Sequence, residues 1–243
     1  MPTLREIRFY VCYTPSKEIE ALLVGKTEEE QNKITVEDYD KNYHHRDFEF
    51  RLQTRSIASF YVRCLKGYKN DKCSKINIEC VPNIVREPNA LFGIYSVQVA
   101  FNVDEFFKLD NLGKKKKTLE LIKVAISQLI EKEGWDKEIF DEAYNRIVSE
   151  NYVNKWAWKK QKNNPSRKYI AKVSCEHGIH SFDISIVIMD KNNNIIKEET
   201  VVREKPDEWM FGRYFGDLKW ISNNEVVLVD KEGNSEFSVN IKE

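Results

Sequence analysis

The chain has 243 residues, 41% of them hydrophobic and 12% aromatic, and its 39 Lys and Arg balance 39 Asp and Glu. A chain of that length buries roughly 70–75% of its unfolded surface, so it needs no disulfide or metal staple. The neutral balance argues against a dedicated nucleic-acid binder, which carries a domain-wide basic excess to neutralise phosphate.

Residues 4–14 carry Arg5, Glu6 and Arg8 and offer no continuous apolar stretch of the kind an export signal needs. No later run approaches the ~20 apolar residues of a membrane-spanning helix. The expectation is a cytoplasmic protein without a membrane partner, in which Cys12, Cys64, Cys73, Cys80 and Cys175 stay reduced. Free Cys packs as a small hydrophobe and is often buried.

Ile7, Phe9, Val11 and Tyr13 alternate with Arg8, Tyr10 and Cys12, which is a strand period. Thr14 can cap a short helix with Pro15 at its first position, Ile19, Leu22 and Leu23 on one face, and Gly25 as terminator. The polar run 26–33 reads as a loop. His44, His45, Arg46 and Asp47 read as a second polar loop, leading into a half-buried strand in which Phe48, Phe50 and Leu52 alternate with Glu49 and Arg51. Ile57, Phe60, Tyr61, Cys64 and Leu65 suit either element, and their spacing favours a helix closed by Gly67. Alternation returns at Ile76, Ile78 and Cys80, and again from Tyr95 to Val103 after a loop at 82–88.

The middle of the chain changes period. Leu119, Ile122, Ile126, Leu129 and Ile130 recur at helical spacing, and Gly134 supplies the stop. Asp136 is a good N-cap for a second helix that buries Ile139, Phe140, Ala143, Tyr144, Ile147 and Val148. So short a link predicts an antiparallel αα hairpin packed against a sheet. Lys114, Lys115, Lys116 and Lys117 oppose the helix dipole, which puts them in the preceding loop or at a contact.

Beyond residue 165 short strands dominate, at 169–175, 182–189, 195–202, within 209–221 with a break at Gly216, and in a last hairpin through Gly233. Lys242 and Glu243 guard the final edge. The chain therefore reads as α+β, with largely antiparallel sheets, a central αα hairpin and a C-terminal β meander. It divides into a mixed portion, 1–150, and a basic-aromatic and β portion, 151–243, which could share one core.

Little in the sequence carries chemistry. Cys175, His177 and His180 have metal-like spacing, but no second Cys or His cluster accompanies them, so no metal or other cofactor is expected. A Cys–His nucleophilic site would need a base and an orienting partner that the linear sequence does not display. Phosphate-cradling glycine motifs and the nucleophile elbow are absent, and no carboxylate pair stands out from the mixed-charge background.

The most distinctive stretch is 152–172, which holds no acidic residue. Trp156 and Trp158 share a face if it is a strand, and Lys159, Lys160, Lys162, Arg167 and Lys168 accompany them. The plainest account is core packing of the tryptophans, with 163–166 as an ordinary linker. Exposed, the same residues would anchor a protein interface, or stack bases beside phosphate-binding lysines. The reading adopted is a non-catalytic cytosolic binding protein, of the inhibitor or immunity type, whose partner is a cognate toxin or enzyme. A nucleic-acid-binding module using the same segment is the alternative, and an enzyme with a site assembled only in three dimensions is the third.

Overall fold

The computed structural model describes residues 1–241, with backbone alone at Lys160, and the chain divides into two compact units, Met1–Tyr152 and Val153–Glu243. It is α+β. The charges anticipated at Lys242 and Glu243 lie outside the described residues.

The first unit is built on four strands, β1 (Glu6–Val11), β2 (Lys75–Val81), β3 (Asn89–Leu91) and β4 (Ile94–Ala100), in the order β1-β2-β4-β3. This sheet is the exception to the largely antiparallel pairing of the chain. β1 and β4 both run parallel to β2, and only β3 is antiparallel. The reason lies between β1 and β2, where α1 (Lys17–Leu23), α2 (Glu28–Asp38) and α3 (His44–Cys64) supply the long crossover that parallel strands require. One sheet face buries Ile7, Phe9, Ile76, Ile78, Tyr95 and Val97. The other carries Glu6, Arg8, Lys75, Asn77, Glu79 and Ser96, in the register Glu6–Lys75 and Arg8–Asn77–Ser96.

α3 replaces both the loop anticipated at 44–47 and the strand anticipated around Phe48 to Leu52. Its buried residues include Asp47, Phe50, Thr54, Ile57 and Tyr61, spaced three and four apart as one helical stripe. Two members of that stripe are polar, so the hydrophobic period is broken and the local alternation of Phe48, Phe50 and Leu52 dominates the sequence. Burial is feasible because both are satisfied: Asp47 accepts from the Val11 amide at 3.0 Å, and Thr54 donates to Phe50 O at 2.8 Å.

The loop anticipated at 26–33 is likewise overturned, since α2 begins at Glu28. Thr27 and Glu30 form a reciprocal capping box. No α2 residue is buried, so the helix lacks the apolar stripe that would announce it. A π-helical turn, Tyr39–Tyr43, joins it to α3.

α4 (Val103–Phe107), α5 (Asn111–Glu133) and α6 (Lys137–Ser149) complete the unit. The four lysines lie inside α5, where Asp110 caps the N-terminus and returns a negative charge to it, and Lys114 is itself buried against the Phe106 ring. Gly134 adopts φ 67, the left-handed conformation that ends α5, and Asp136 caps α6. α5 packs on β4 and α3, whereas α6 packs on α3 and α5. The Tyr61 hydroxyl donates to Phe140 O at 3.1 Å, tying α3 to α6.

The second unit contains β5 (Lys155–Asn163), β6 (Tyr169–His177), β7 (Phe182–Asp190) and β8 (Ile195–Glu204), paired antiparallel in that order. After the short α7 (Glu208–Phe211), strands β9 (Asp217–Trp220), β10 (Glu225–Val229) and β11 (Glu236–Asn240) form a second antiparallel sheet, ordered β11-β10-β9. Val173, Ile184 and Ile186 of one sheet share a core with Leu218, Val226 and Leu228 of the other. Side chains stitch the sheets at both ends: Trp220 Nε1 donates to Lys162 O at 2.9 Å, and Lys197 Nζ to Asn240 O at 2.9 Å.

Candidate functional site

The alternation of β5 places Trp156 and Trp158 on its inner face, where both pack half-buried against the second unit's core. The Trp156 ring lies edge-on to Phe182 at 5.6 Å, and the Trp158 ring 4.9 Å from Phe215. They are not an exposed aromatic platform. Their backbone neighbours face outward, and a register shift between Trp158 and Lys162, with Lys159 at φ 55, adds a bulge to the strand.

The basic side chains split into two groups. Lys159 Nζ donates to Gly216 O at 2.8 Å and lies over the Trp158 ring at 4.3 Å, so it closes β5 against the approach to β9. Lys162 is half-exposed with Asp217 3.9 Å away. Arg167 and Lys168 sit exposed on the β5–β6 turn, and their side chains form no ion pair among the described residues. The Lys160 side chain lies outside the described residues.

That turn is far from an ordinary linker. Asn164 is 2% exposed, and its backbone amide donates to Tyr169 O at 2.9 Å. Its carboxamide accepts from the Tyr169 amide at 3.1 Å and donates to Asn223 O at 2.9 Å and Ser166 Oγ at 3.0 Å. Asn223 answers by accepting from the Ser166 amide at 2.9 Å. Arg167 is thereby held at φ 55, a left-handed conformation, with its amide on Asn164 O. Ile221, on the segment next to Asn223, is exposed, and Trp220 is half-buried. The result is a turn that exposes two cations on a backbone fixed by hydrogen bonds to Asn164 and Asn223. Asn164, Asn223 and Ile221 carry no sequence signal for this role, because the partners are about sixty residues apart in the chain.

Cys175 and His177 both point into the core, as strand alternation requires, and both are buried. His177 Nε2 lies 3.2 Å from Pro206 O, and its ring meets Phe182 and Phe211 edge-on at 5.4 and 5.7 Å. His180 is exposed in the following turn, away from that direction. Among the described residues, no group of three His, Cys, Asp or Glu side chains is placed to hold a metal ion. Burial raises the thiol pKa of Cys64, Cys73 and Cys80, and that of Cys12 up to about 11 with help from Glu79. All five cysteines are free thiols. No helix among the described residues is long and apolar enough to cross a membrane.

The chain matches no known protein family, no curated protein and no solved structure.

Proposed function

We propose that the protein works by binding another protein, in the manner of an inhibitor or immunity protein, and that the Asn164-fixed turn meets an acidic surface on a cognate toxin or enzyme. The observation that carries this reading is the pairing of two uncompensated cations, Arg167 and Lys168, with a backbone already locked by buried hydrogen bonds. A preorganised turn loses little conformational entropy on association, so more of its contact energy survives as affinity. Lys162, at the end of the preceding strand, and the exposed Ile221, two residues before Asn223, would add a further cation and an apolar contact. Arg fits this role well, because its planar fork meets carboxylates bidentately. Trp156 and Trp158 support the surface from beneath as packing residues.

The test is recovery of partners from the native cell extract by the wild type and by the Arg167→Glu, Lys168→Glu double variant, each with and without nuclease. The reading expects one specific protein, retained after nuclease treatment and lost by the double variant. Its association rate should fall as salt rises and converge with that of the variant. Equal recovery by both chains would place the interface elsewhere. Loss of capture on nuclease treatment would favour the nucleic-acid alternative.

A further inference from the structure

Parallel strands need a connection of a dozen or more residues, and α3, with its 21 residues, meets that need between β1 and β2 by itself. The chain nonetheless devotes residues 12–43 to a helical arm, α1 and α2 joined through Gly25 at φ 73 and followed by the π-helical turn. From Tyr10 to Arg46 no residue is buried. The arm therefore adds nothing to the core. Its helices have 7 and 11 residues, a length that is marginal in water and ordinarily draws its stability from a buried face.

What holds the arm is local. Ser16 caps α1 by accepting from the Ile19 amide at 3.3 Å, and the capping box of Thr27 and Glu30 starts α2. Gln31 Nε2 latches the two helices by donating to Leu23 O at 3.0 Å and Lys26 O at 3.3 Å. At the root the Tyr13 hydroxyl donates to Asp38 Oδ2 at 2.6 Å, and the Tyr13 ring meets Tyr43 edge-on at 5.0 Å. Tyr39 stacks on Tyr43 within the π-helical turn. Such turns are rare and frequently mark functional sites.

The surface of the arm has a distinct chemistry. Leu22, Val24 and Val36 are 56%, 79% and 57% exposed. Residues 17–41 hold eight acids and four lysines, a net charge of −4. Glu28, Glu29 and Glu30 have a local reason to be there, because they complement the dipole at the start of α2. Glu37 and Asp40 do not. They lie at the carboxyl end of α2, where the dipole disfavours negative charge, and they form no ion pair among the described residues. α2 spans about 16 Å, so all these side chains fall within one interface of ordinary size, about 800 Å² per partner.

We infer that the α1–α2 arm is a docking element for a second protein, one that receives it on an apolar surface ringed by Lys and Arg. The ring answers the charge of −4, and the apolar floor covers Leu22, Val24 and Val36. Nucleic acids and anionic membranes carry the same sign of charge as the arm and are repelled. The arm belongs to the first unit and is opposite in charge to the Arg167–Lys168 turn, so this inference stands apart from the function proposed above.

The probe is an amphipathic helical peptide with leucines on one face and lysines on the other. A lysine-only peptide of equal charge and a leucine–glutamate peptide serve as controls. Each is titrated into the full chain while the backbone amides are followed by NMR. The leucine–lysine peptide should give saturable shifts centred on residues 17–41, with an affinity that falls as salt rises. The lysine-only peptide should bind at least about tenfold more weakly, since it covers no apolar side chain. The leucine–glutamate peptide should leave the arm unshifted. The triple variant Leu22→Gln, Val24→Thr, Val36→Thr should weaken the leucine–lysine peptide about tenfold while its Tm stays within about 2 °C of wild type. Shifts centred elsewhere, equal binding of either control peptide, or undiminished binding by the triple variant would each overturn the inference. A larger fall in Tm would do so too, by showing that these side chains serve the fold. A concentration-dependent dimer of the wild type, abolished in the triple variant, would assign the arm to a second copy of the chain and equally overturn it.

Discussion

Asn164→Ala is the sharpest probe of the second unit, because it removes hydrogen bonds and leaves every charge in place. The substitution strips the Tyr169 amide of its acceptor and the Asn223 carbonyl of its donor. Ser166 Oγ also loses a partner but is exposed and turns to water. A buried polar group left unsatisfied costs about 1–3 kcal/mol. Tyr169 is only half-buried, so the two stranded groups together should cost about 2–4 kcal/mol. Four of the five tryptophans, Trp156, Trp158, Trp209 and Trp220, lie in the second unit, so urea denaturation followed by tryptophan fluorescence reports mainly on it. The expected result is a lower midpoint at unchanged slope. Partner affinity should fall as well, through faster dissociation, with the salt dependence preserved because Arg167 and Lys168 remain. A stability change below about 0.5 kcal/mol, the range of ordinary surface substitutions, would refute the idea that Asn164 fixes the turn.

Trp158→Ala should lower the stability of the second unit by about 1.5–3 kcal/mol, as for loss of a large, half-buried aromatic side chain, and denaturant melts that leave the unit unchanged would contradict its packing role. Gly216→Ala should be severely destabilising, since an added Cβ would lie 2.1 Å from Asp230 O, and a thermal melt matching wild type would exclude that close approach. Glu6 links to pH: burial pushes its carboxyl up, but Arg8, Lys75 and Arg55 outweigh this and hold it below its ordinary value of 4.5. Its stabilisation is therefore complete above that ordinary value and is lost as pH falls through the lower folded value. Glu6→Gln should flatten the fall in stability that begins as pH drops below the ordinary value of 4.5, and an unchanged acid limb would show that Glu6 contributes nothing there.

Local sequence determined the elements whose cause is local. Alternation placed β6, β7, β10 and β11, because a strand with one buried face must repeat every two residues. Helical spacing with Gly134 and Asp136 placed α5 and α6, where both stop and start signals are within one turn of the element. Even the shared face of Trp156 and Trp158 was legible; that it is the inner face was not, since Phe182 and Phe215 supply the packing from other segments.

Tertiary structure decided the rest. Asp47 could join the buried stripe of α3 only because the Val11 amide was there to satisfy it, whereas Thr54 turns back onto Phe50 O of its own helix, so a helix was hidden behind an apparent strand. Asn164 became an anchor through Asn223, and a crevice beyond the carboxyl ends of β1 and β2 drew Thr14, Arg46, Cys80 and Asn102 from four separate segments. Parallel pairing of β1, β2 and β4 is what gathered those segments, and no period in the sequence encodes it. Periodicity reports which side of an element is buried, whereas a site depends on which distant side chains the fold brings to the same place.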